Sequence, residues 1–235
     1  MLNERLKRTI ALLGEEKAEK IRCSSVMVIG CGAVGGYALE MIARLGFGKI
    51  WVVDFDVFEE SNLNRQILAT IQIIGRKKCD VAKERVLAIN PEAEVVALDL
   101  KVAADNLDFI LEANPDFVID AIDDVMAKAA LIKFLADNDI RAVSAMGAAL
   151  KTKPEMLRVA RLDKTEGCHL AKKLRDMLRR QMCDLKKVRC VYSAETVKIC
   201  KDEAGNNILG SLPMVPAAMG IMLATEIFKL CCDEN

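Results

Sequence analysis

The sequence predicts an α/β fold: a Rossmann-like, doubly wound, mostly parallel sheet followed by an elaborated C-terminal half. Two observations carry this prediction. An apolar strand over residues 26–29 runs directly into a glycine-rich turn over residues 30–35. Apolar strand segments then alternate with helical periodicity as far as residue 145. Such alternation is typical of a parallel sheet that is covered by helices on both faces.

Each element follows from a local signal. The spacing of Leu2, Leu6 and Ile10 predicts a helix over residues 3–20. A helix from residue 33 to about 45 ends at Gly46, as helix C-termini often do. The other elements are predicted as strands over 25–29, 49–54, 94–100, 117–122, 141–145, 156–161 and 189–193, and helices over 77–89, 104–113, 125–137 and 168–183.

Composition narrows the class of protein. Hydrophobic residues make up 52% of the 235 positions and aromatic residues only 4%, which suits an aliphatic core between parallel strands. The 34 basic and 34 acidic side chains cancel, so the net charge predicts no polyanionic partner. The nine cysteines form no Cys-x-x-Cys pair, which favours reduced thiols over a disulfide framework or a zinc site.

The chain is expected to form one nucleotide-binding domain over residues 1–235, with an N-terminal helical arm at 1–22 and a basic insertion at about 161–189. Its polar start has no apolar signal core, which predicts a cytoplasmic protein. The apolar segment 208–225 is interrupted by Pro213 and Pro216. We therefore expect a buried C-terminal helix, too short to span a membrane.

Three segments are predicted to meet in one crevice, because ligands bind beyond the carboxyl ends of the strands in open parallel sheets. These are the glycine turn, residues 54–56 and residues 120–124. Gly32 lets the backbone approach phosphate or ribose, and Gly35 lets the next helix pack close to the strand that precedes Gly30. Asp54, nineteen positions after Gly35, suits a carboxylate that accepts ribose hydroxyls.

Two cations make this weak fingerprint more specific. Arg65 ends the polar loop 61–65, and Lys78 opens a helix after Gly75. Triphosphate chemistry needs cations on the phosphates, and a planar guanidinium together with a mobile ammonium can supply them. Solvated surface charges are the alternative interpretation, but the polar surroundings of both side chains favour phosphate ligands.

Asp123 is the candidate metal ligand. It closes an apolar run that is broken only by Asp120, which is itself a candidate for a buried structural role. A carboxylate at the crevice can hold Mg²⁺ between phosphates. Asp124 is placed to cap the following helix.

These motifs resemble those of ATP-dependent activating enzymes of the ThiF and ubiquitin-activating type, over nearly the whole chain. Within that family the chain is similar to the branch of dehydratases that act on threonylcarbamoyladenosine in tRNA. The resemblance rests on Gly30-x-Gly32-x-x-Gly35, Asp54-Phe-Asp56, Ser61-Asn-Leu-Asn-Arg65-Gln66, Gly75-Arg-x-Lys78 and Asp120-Ala-Ile-Asp123. The dehydratase branch is indicated by residues 13–16, 128–132, 191–195 and 210–213.

The resemblance implies a role for each matching residue. Asp54 is the carboxylate on the ribose or adenosine side, Asn62 lies beside the triphosphate, and Asp123 is the acid associated with magnesium. Asp56 is a further residue of the nucleotide-binding set. Arg65 and Lys78 become phosphate ligands. Arg8 matches an arginine that reaches the nucleotide of a second subunit, so a homodimer is implied. The start Arg5-Leu-Lys-Arg8-Thr and the acid at position 124 depart from the usual family pattern.

The resemblance also implies a reaction. A substrate carboxylate attacks the α-phosphorus of ATP, pyrophosphate leaves, and an internal nucleophile then expels AMP and closes a ring. The implied partners are a tRNA substrate and, as an open question, a sulfur-trafficking protein.

The basic segment bears on the tRNA expectation. Residues 161–189 carry ten cations and four acids, and Lys172, Arg175 and Arg179 share one helical face. A stripe of this kind suits an RNA backbone, whereas an ordinary solvated helix is the competing interpretation. His169 is the only histidine and is interpreted as a polar residue at a helix start, and no cysteine is assigned a catalytic role.

Other functions remain open at this point. An adenylyltransferase that activates the C-terminal glycine of a ubiquitin-like sulfur carrier would use the same nucleotide chemistry. A NAD-dependent oxidoreductase would use the glycine turn and Asp54 equally well, but leaves Arg65, Lys78 and Asp123 without a purpose. A non-catalytic nucleotide-binding regulator is a third possibility.

Overall fold

A computed structural model describes residues 4–196, 200–201 and 207–232. The helices are α1 (Lys7–Leu13), α2 (Glu15–Cys23), α3 (Gly35–Leu45), α4 (Lys78–Ile89), α5 (Phe109–Ala113), α6 (Val125–Asp137), α7 (His169–Arg180) and α8 (Met214–Cys232). The strands are β1 (Ser25–Ile29), β2 (Lys49–Val53), β3 (Glu94–Leu98), β4 (Phe117–Asp120), β5 (Ala142–Ala145), β6 (Leu157–Arg161), β7 (Arg189–Ser193), β8 (Cys200–Lys201) and β9 (Asn207–Ile208).

Seven strands form the main sheet in the order β3-β2-β1-β4-β5-β7-β6. All neighbouring pairs are parallel except β6 and β7, which are antiparallel. The predicted doubly wound, mostly parallel sheet is therefore confirmed. The strand order reverses direction between β1 and β4, which makes their carboxyl ends the expected place for a ligand.

Alternate residues of each strand enter different cores, as a doubly covered sheet requires. Val26 and Val28 face a cluster shared with α3, α4 and α8, whereas Met27 and Ile29 face a cluster shared with α5 and α6. A third cluster joins α6 and α7 to β7. The aliphatic composition thus fills both faces of one central sheet.

Two glycines allow close packing around α3. A Cβ atom at Gly35 would overlap the carbonyl oxygen of Gly30, so only glycine lets α3 begin so close to the turn after β1. A Cβ atom at Gly220 of α8 would lie 2.8 Å from Cβ of Tyr37. Helix α8 therefore approaches α3 at a distance that a side chain would prevent.

The N-terminal helix is divided, which differs from the continuous helix predicted over residues 3–20. Gly14 has φ of 84° and separates α1 from α2, because a left-handed backbone geometry cannot continue a helix. Residues 1–3 of the predicted arm lie outside the described ranges. Helix α5 covers only Phe109–Ala113 of the predicted 104–113.

Helix α8 is longer than expected. Pro216 lies in its first turn, where the ring costs no helical hydrogen bond, so 19 residues remain helical. By length and apolarity it is the one helix of the described chain that could cross a membrane. Its buried residues instead pack on α3 and the sheet. Glu226, 1% exposed, pairs with Arg189 and with Lys229, which is typical of a core helix in a soluble protein.

We predict that Gly220→Ala destabilises the protein by about 1–3 kcal/mol, because the new methyl group forces α8 away from α3. Replacing an exposed glycine within a helix by alanine would instead raise the free energy of unfolding by about 1 kcal/mol. Denaturant unfolding measures the difference. Gly210→Ala is the control, since no atom lies within 4 Å of its Cβ position, and equal stability of both variants would contradict the close approach.

Candidate nucleotide-binding crevice

The three segments predicted to meet do lie together at the carboxyl ends of β1, β2 and β4. Gly30 follows β1 with φ of 92°, and its amide donates to the carbonyl oxygen of Val53 at 2.8 Å. The amide of Ala121, just after β4, donates to the carbonyl oxygen of Ile29 at 2.8 Å. A Cβ atom at Gly30 would lie 2.8 Å from the carbonyl oxygen of Ala121, so this turn requires glycine.

Gly32 has open space on the side where a side chain would stand. The nearest atom to its ideal Cβ position is Nε2 of Gln66, at 3.8 Å. No side chain caps the start of α3, and the amide of Gly36 donates to the carbonyl oxygen of Gly32 at 2.9 Å, so the amide groups that remain open to an anion are those that precede Gly36. This geometry lets a ligand approach the backbone closely.

Gln66 is a further candidate site residue. In the sequence it closes the motif Ser61-Asn-Leu-Asn-Arg65-Gln66, but no role was predicted for it. It is buried, and its Oε1 atom has no hydrogen-bond partner among the described residues. Unsatisfied buried polar atoms are rare in native proteins and are often completed by a ligand or water. Its place beside Gly32 makes it a candidate ligand contact.

Asp54 braces the glycine turn. Its two carboxylate oxygens accept from the amide of Cys31 at 2.6 Å and from the amide of Asp56 at 2.9 Å. Burial raises the pKa of Asp54, although these amide hydrogen bonds oppose the shift. The carboxylate therefore joins the ends of β1 and β2, and each oxygen keeps further accepting capacity for a ribose hydroxyl.

Lys78 is held at the crevice by Asp56. Its ammonium group, at the first position of α4, lies 2.6 Å from the Asp56 carboxylate, and its backbone amide donates to the Asp56 carbonyl oxygen at 2.9 Å. Burial opposes ionisation of Asp56, but the hydrogen bond from Lys78 and the positive charge of Lys78 together outweigh it and lower the pKa of that carboxyl. Lys78 is thus a nearly buried cation with one carboxylate partner.

The polar loop is shaped by Asn62. This side chain is buried, and its Oδ1 atom accepts from the amide of Glu59 at 3.2 Å, closing the turn. Arg65 donates to the carbonyl oxygen of Ser61 at 2.7 Å and to Oδ1 of Asn64 at 2.8 Å. Arg65 therefore has only neutral partners in this loop, which leaves its charge available to a phosphate.

Asp123 and Asp124 have different surroundings. Asp124 accepts from the amide of Ala127 at 2.8 Å and caps α6, as the sequence indicated. Asp123 is exposed and makes no hydrogen bond or ion pair with the described part of the chain. No group of three potential metal ligands occurs among the described residues. Magnesium is commonly held by one or two carboxylates plus substrate phosphates, so a single free carboxylate fits that ion.

A buried ion pair supports the loop that carries Asp123. Lys128 of α6 and Asp120 of β4 are each 0% exposed, and their charged atoms are 2.7 Å apart. Lys128 also donates to the carbonyl oxygen of Ile122 at 2.9 Å, and Asp120 accepts from the amide of Ile122 at 3.2 Å. Ser144 donates to the other Asp120 oxygen. The residue before Asp123 is thus fixed at both backbone groups.

Arg8 lies away from the crevice of its own chain. Leu6, just before α1, contacts the Cα position of Gly46, and Arg5 donates to Asn90 at 2.8 Å. Gly46 and Asn90 precede β2 and β3, so the arm begins at the amino edge of the sheet. A five-residue strand separates the two edges by roughly 15 Å. The structure does not bring Arg8 together with the other site residues within one chain.

A segment after β9 crosses near the polar loop. The side chain of Asn64 donates to the carbonyl oxygen of Ser211 at 3.0 Å, and the amide of Leu150 donates to that of Gly210 at 2.8 Å. The segment 210–213 indicated the dehydratase branch in the sequence. Its contacts place it beside the loop that carries Arg65.

The thiols of Cys31 and Cys190 support no nucleophilic role. Cys31 and Cys190 are buried, and burial raises the pKa of each, that of Cys190 to about 12. Thiolate is the nucleophilic form, so these groups are unreactive near neutral pH. His169 is exposed at the start of α7.

The basic stripe on α7 differs from the predicted one. Arg175 is turned inward, where it donates to the carbonyl oxygen of Thr165 at 2.7 Å and to the Thr165 hydroxyl. The exposed cations of α7 are instead Lys172, Lys173, Arg179 and Arg180. Periodicity identified the basic helix, but the hydrogen bonds to a distant threonine had no signal in the sequence.

The fold and this site define the class of protein: an α/β protein with the glycine turn typical of nucleotide-binding proteins, and with two cations and a free carboxylate on the segments that follow its strands. A profile of the ThiF family matches residues 6–235, and the chain belongs to that family.

Relatives agree with this assignment. The chain is 35% identical over 209 residues to tRNA threonylcarbamoyladenosine dehydratase of Bacillus subtilis, covering 88% of this chain and 81% of the relative. A structure of the E. coli tRNA N6-threonylcarbamoyladenosine dehydratase in complex with ATP has a TM-score of 0.90 and 34% identity, covering 98% of this chain and 95% of the other. A sulfur carrier protein adenylyltransferase of Thermus thermophilus is 37% identical over 111 residues, covering 47% of this chain and 41% of the relative.

We predict that Lys128→Met destabilises the protein by about 3–5 kcal/mol, because it leaves the Asp120 carboxylate buried without a counter-charge. Denaturant unfolding measures the loss. Lys133→Met is the matched control on the same helix: its ion pair with Asp137 is exposed, so its removal changes stability by at most about 0.5 kcal/mol. The double variant Asp120→Asn/Lys128→Met should recover part of the loss, and a failure of Lys128→Met to exceed the control would refute the role of the pair.

Proposed function

We propose that this protein is an ATP-dependent dehydratase that adenylates the carboxylate of threonylcarbamoyladenosine in tRNA and cyclises it with loss of AMP. The observation that carries the proposal is the joint presence, in one crevice, of Arg65, Lys78 and the unpartnered Asp123. An oxidoreductase needs none of these three side chains. The names of the full-length relatives point to the same substrate.

Each site residue has a role in this proposal. Backbone amides at the start of α3 and the open side of Gly32 receive the adenosine and its α-phosphate, while Asp54 accepts from the ribose. Lys78 exchanges Asp56 for phosphate oxygens, and Arg65 adds a planar fork beside Asn62. Positioning and charge neutralisation account for most of the catalysis, because the protein forms no covalent bond in this scheme.

Asp123 would hold Mg²⁺ at the phosphates. A bound magnesium ion supplies neutralisation of the charge that develops on the pyrophosphate leaving group. The chain contributes orientation: Lys128 and Asp120 fix the backbone of Ile122, and the cap at Asp124 fixes the start of α6. Asp123 is held between these two points with its carboxylate free.

We further propose that residues 1–235 act as one cytoplasmic adenylation domain within a homodimer. Arg8 lies at the edge of the sheet opposite its own crevice, so it contributes to catalysis only by reaching the nucleotide of the partner subunit. A sulfur-trafficking protein is a proposed additional partner. Activation of a ubiquitin-like sulfur carrier is the second candidate function, favoured by the identical demand for a carboxylate nucleophile and a bound ATP.

The first experiment incubates the purified protein with ATP, Mg²⁺ and tRNA that bears threonylcarbamoyladenosine, followed by digestion and nucleoside mass spectrometry. We expect an ATP-dependent loss of one water from that nucleoside. Asp123→Ala should abolish it, whereas Asp105→Ala, another exposed acid, should not. An unchanged nucleoside, with a sulfur carrier protein stimulating pyrophosphate release instead, would support the second candidate.

Arg65→Ala is expected to lower kcat by about 10²–10³-fold, since one charged donor to the developing negative charge is removed. Arg76→Ala is the matched control, because Arg76 is exposed and paired with Glu84 at 2.5 Å. Single-turnover formation of AMP gives the measurement. Equal rates for the two variants would remove Arg65 from the phosphate site.

The proposed action of Arg8 in the partner subunit predicts complementation. Mixing equal amounts of the Arg8→Ala and Arg65→Ala proteins, with subunit exchange, should restore about a quarter of the normal activity, because half of the dimers then contain one intact site. Each variant alone should be nearly inactive. Absence of recovery, despite verified exchange, would place Arg8 outside the site.

A further inference from the structure

A cavity of about 390 Å³ lies beside β5 and β7, away from the nucleotide crevice. Arg189 and Ala142 begin their strands, and Arg161 ends the antiparallel strand β6, so these lining residues mark the amino edge of the sheet. The crevice is at the carboxyl edge, roughly 15 Å away by strand length. The mouth of the cavity is therefore at the opposite edge of the sheet from the crevice, while Asp120 and Ser144, which belong to the buried network behind the crevice, form part of its inner wall.

The cavity has an apolar floor and a cationic rim. Apolar side chains of α6 and its surroundings, including Ile132, Leu135 and Ala136, form part of the floor. The rim carries five cations and one exposed acid, Asp139. The five cations are Arg141, Arg161, Lys186, Lys187 and Arg189.

Two rim cations are available to a ligand. Lys187 lies 2.6 Å from Asp139, and Arg161 lies 3.1 Å from Asp163. By contrast, Arg141 and Lys186 form no ion pair with the described residues, and the guanidinium of Arg141 lies 4.3 Å from the ring centroid of Phe117. A ligand with an apolar body and a negative group matches this arrangement of floor and rim.

The rim continues onto the exposed cations of α7. The start of α7 is at the carboxyl edge, where a Cβ atom at Gly147 would lie 3.6 Å from Cβ of Leu170 and 3.9 Å from Sγ of Cys168. The helix then runs for 12 residues, or about 18 Å, and ends near the segment that leads into β7. Lys172, Lys173 and Arg180 lie along this path without an ion pair to the described residues. A polyanion bound along α7 could thus extend from the edge of the crevice to the cavity.

We propose that the cavity binds one nucleotide of the RNA substrate, remote from the reacting nucleotide, with its base on the apolar floor and its phosphate at Arg141 and Lys186. This inference rests on the proposed function, because it takes the ligand of the cavity to be the tRNA substrate of that function. Proteins commonly read RNA through unstacked bases received in pockets, and 390 Å³ is within the usual size of a small-ligand site. The nucleotide anchors the RNA while α7 contacts its backbone.

The test measures tRNA binding by filter retention over a range of salt concentrations. Arg141→Gln/Lys186→Gln should weaken binding at least about tenfold and reduce the salt slope by about 0.7–0.9, the change expected for one phosphate contact. Ala136→Leu, which fills the floor and keeps every charge, should weaken binding with no change of slope. Lys83→Gln, on α4 at the other face of the sheet, is the control. ATP affinity should stay constant throughout.

Several outcomes overturn the proposal. The proposal is wrong if the rim and floor variants bind tRNA as tightly as Lys83→Gln does. It is also wrong if the cavity binds adenosine monophosphate or inorganic phosphate and this binding leaves the affinity for tRNA unchanged. Nucleoside analysis separates the two levels of inference. Rim-dependent tRNA binding without dehydration would contradict only the proposed reaction, whereas dehydration with an unchanged KM for tRNA in the rim variants would contradict only the cavity.

Discussion

The buried ion pair between Asp120 and Lys128 is the interaction on which the site depends. It joins the carboxyl end of β4, next to the switch point, to the helix that follows it. Through Ser144 it also reaches β5, and through Ile122 it fixes the loop before Asp123. A charged pair without solvent contact is costly unless its hydrogen bonds are complete, so this corner tolerates little displacement. The backbone that leads into Asp123 is therefore held in place, while its carboxylate stays free of partners among the described residues.

The rest of the crevice is organised so that its cations do not stand alone. Lys78 is neutralised by Asp56, while Arg65 is held by neutral oxygens of its own loop. A phosphate that binds here competes with a carboxylate at one cation and meets no carboxylate at the other. Binding of a phosphate at Lys78 would therefore have a higher electrostatic cost than binding at Arg65. In the proposed site Arg65 would be the readier phosphate ligand, whereas Lys78 would first have to leave Asp56.

Much of the fold was predictable because apolar periodicity and glycine positions are local signals. Each main-sheet strand and the cap at Asp124 could be read from the sequence, and so could the meeting of the glycine turn with Asp54 and Asp123. The inward turn of Arg175 could not, because its partner Thr165 lies ten positions away and has no distinctive pattern. The burial of Lys128 had one sign in the sequence, which is a lysine within an apolar helix. Nothing in the sequence identified Asp120 as the partner of that lysine. The division at Gly14 was visible only as a single glycine inside a helical pattern.

The position of β7 between β5 and β6 has a consequence for how the chain is assembled. Strand β6 precedes β7 in the sequence, yet among the described strands β7 is its only neighbour in the sheet. During synthesis the backbone groups of β6 therefore stay unpaired until residues 189–193 have emerged from the ribosome. The edge of the sheet and the basic helix between these strands then form together. Completion of this edge of the sheet and creation of the cationic surface of α7 are therefore coupled, because both need residues 162–193.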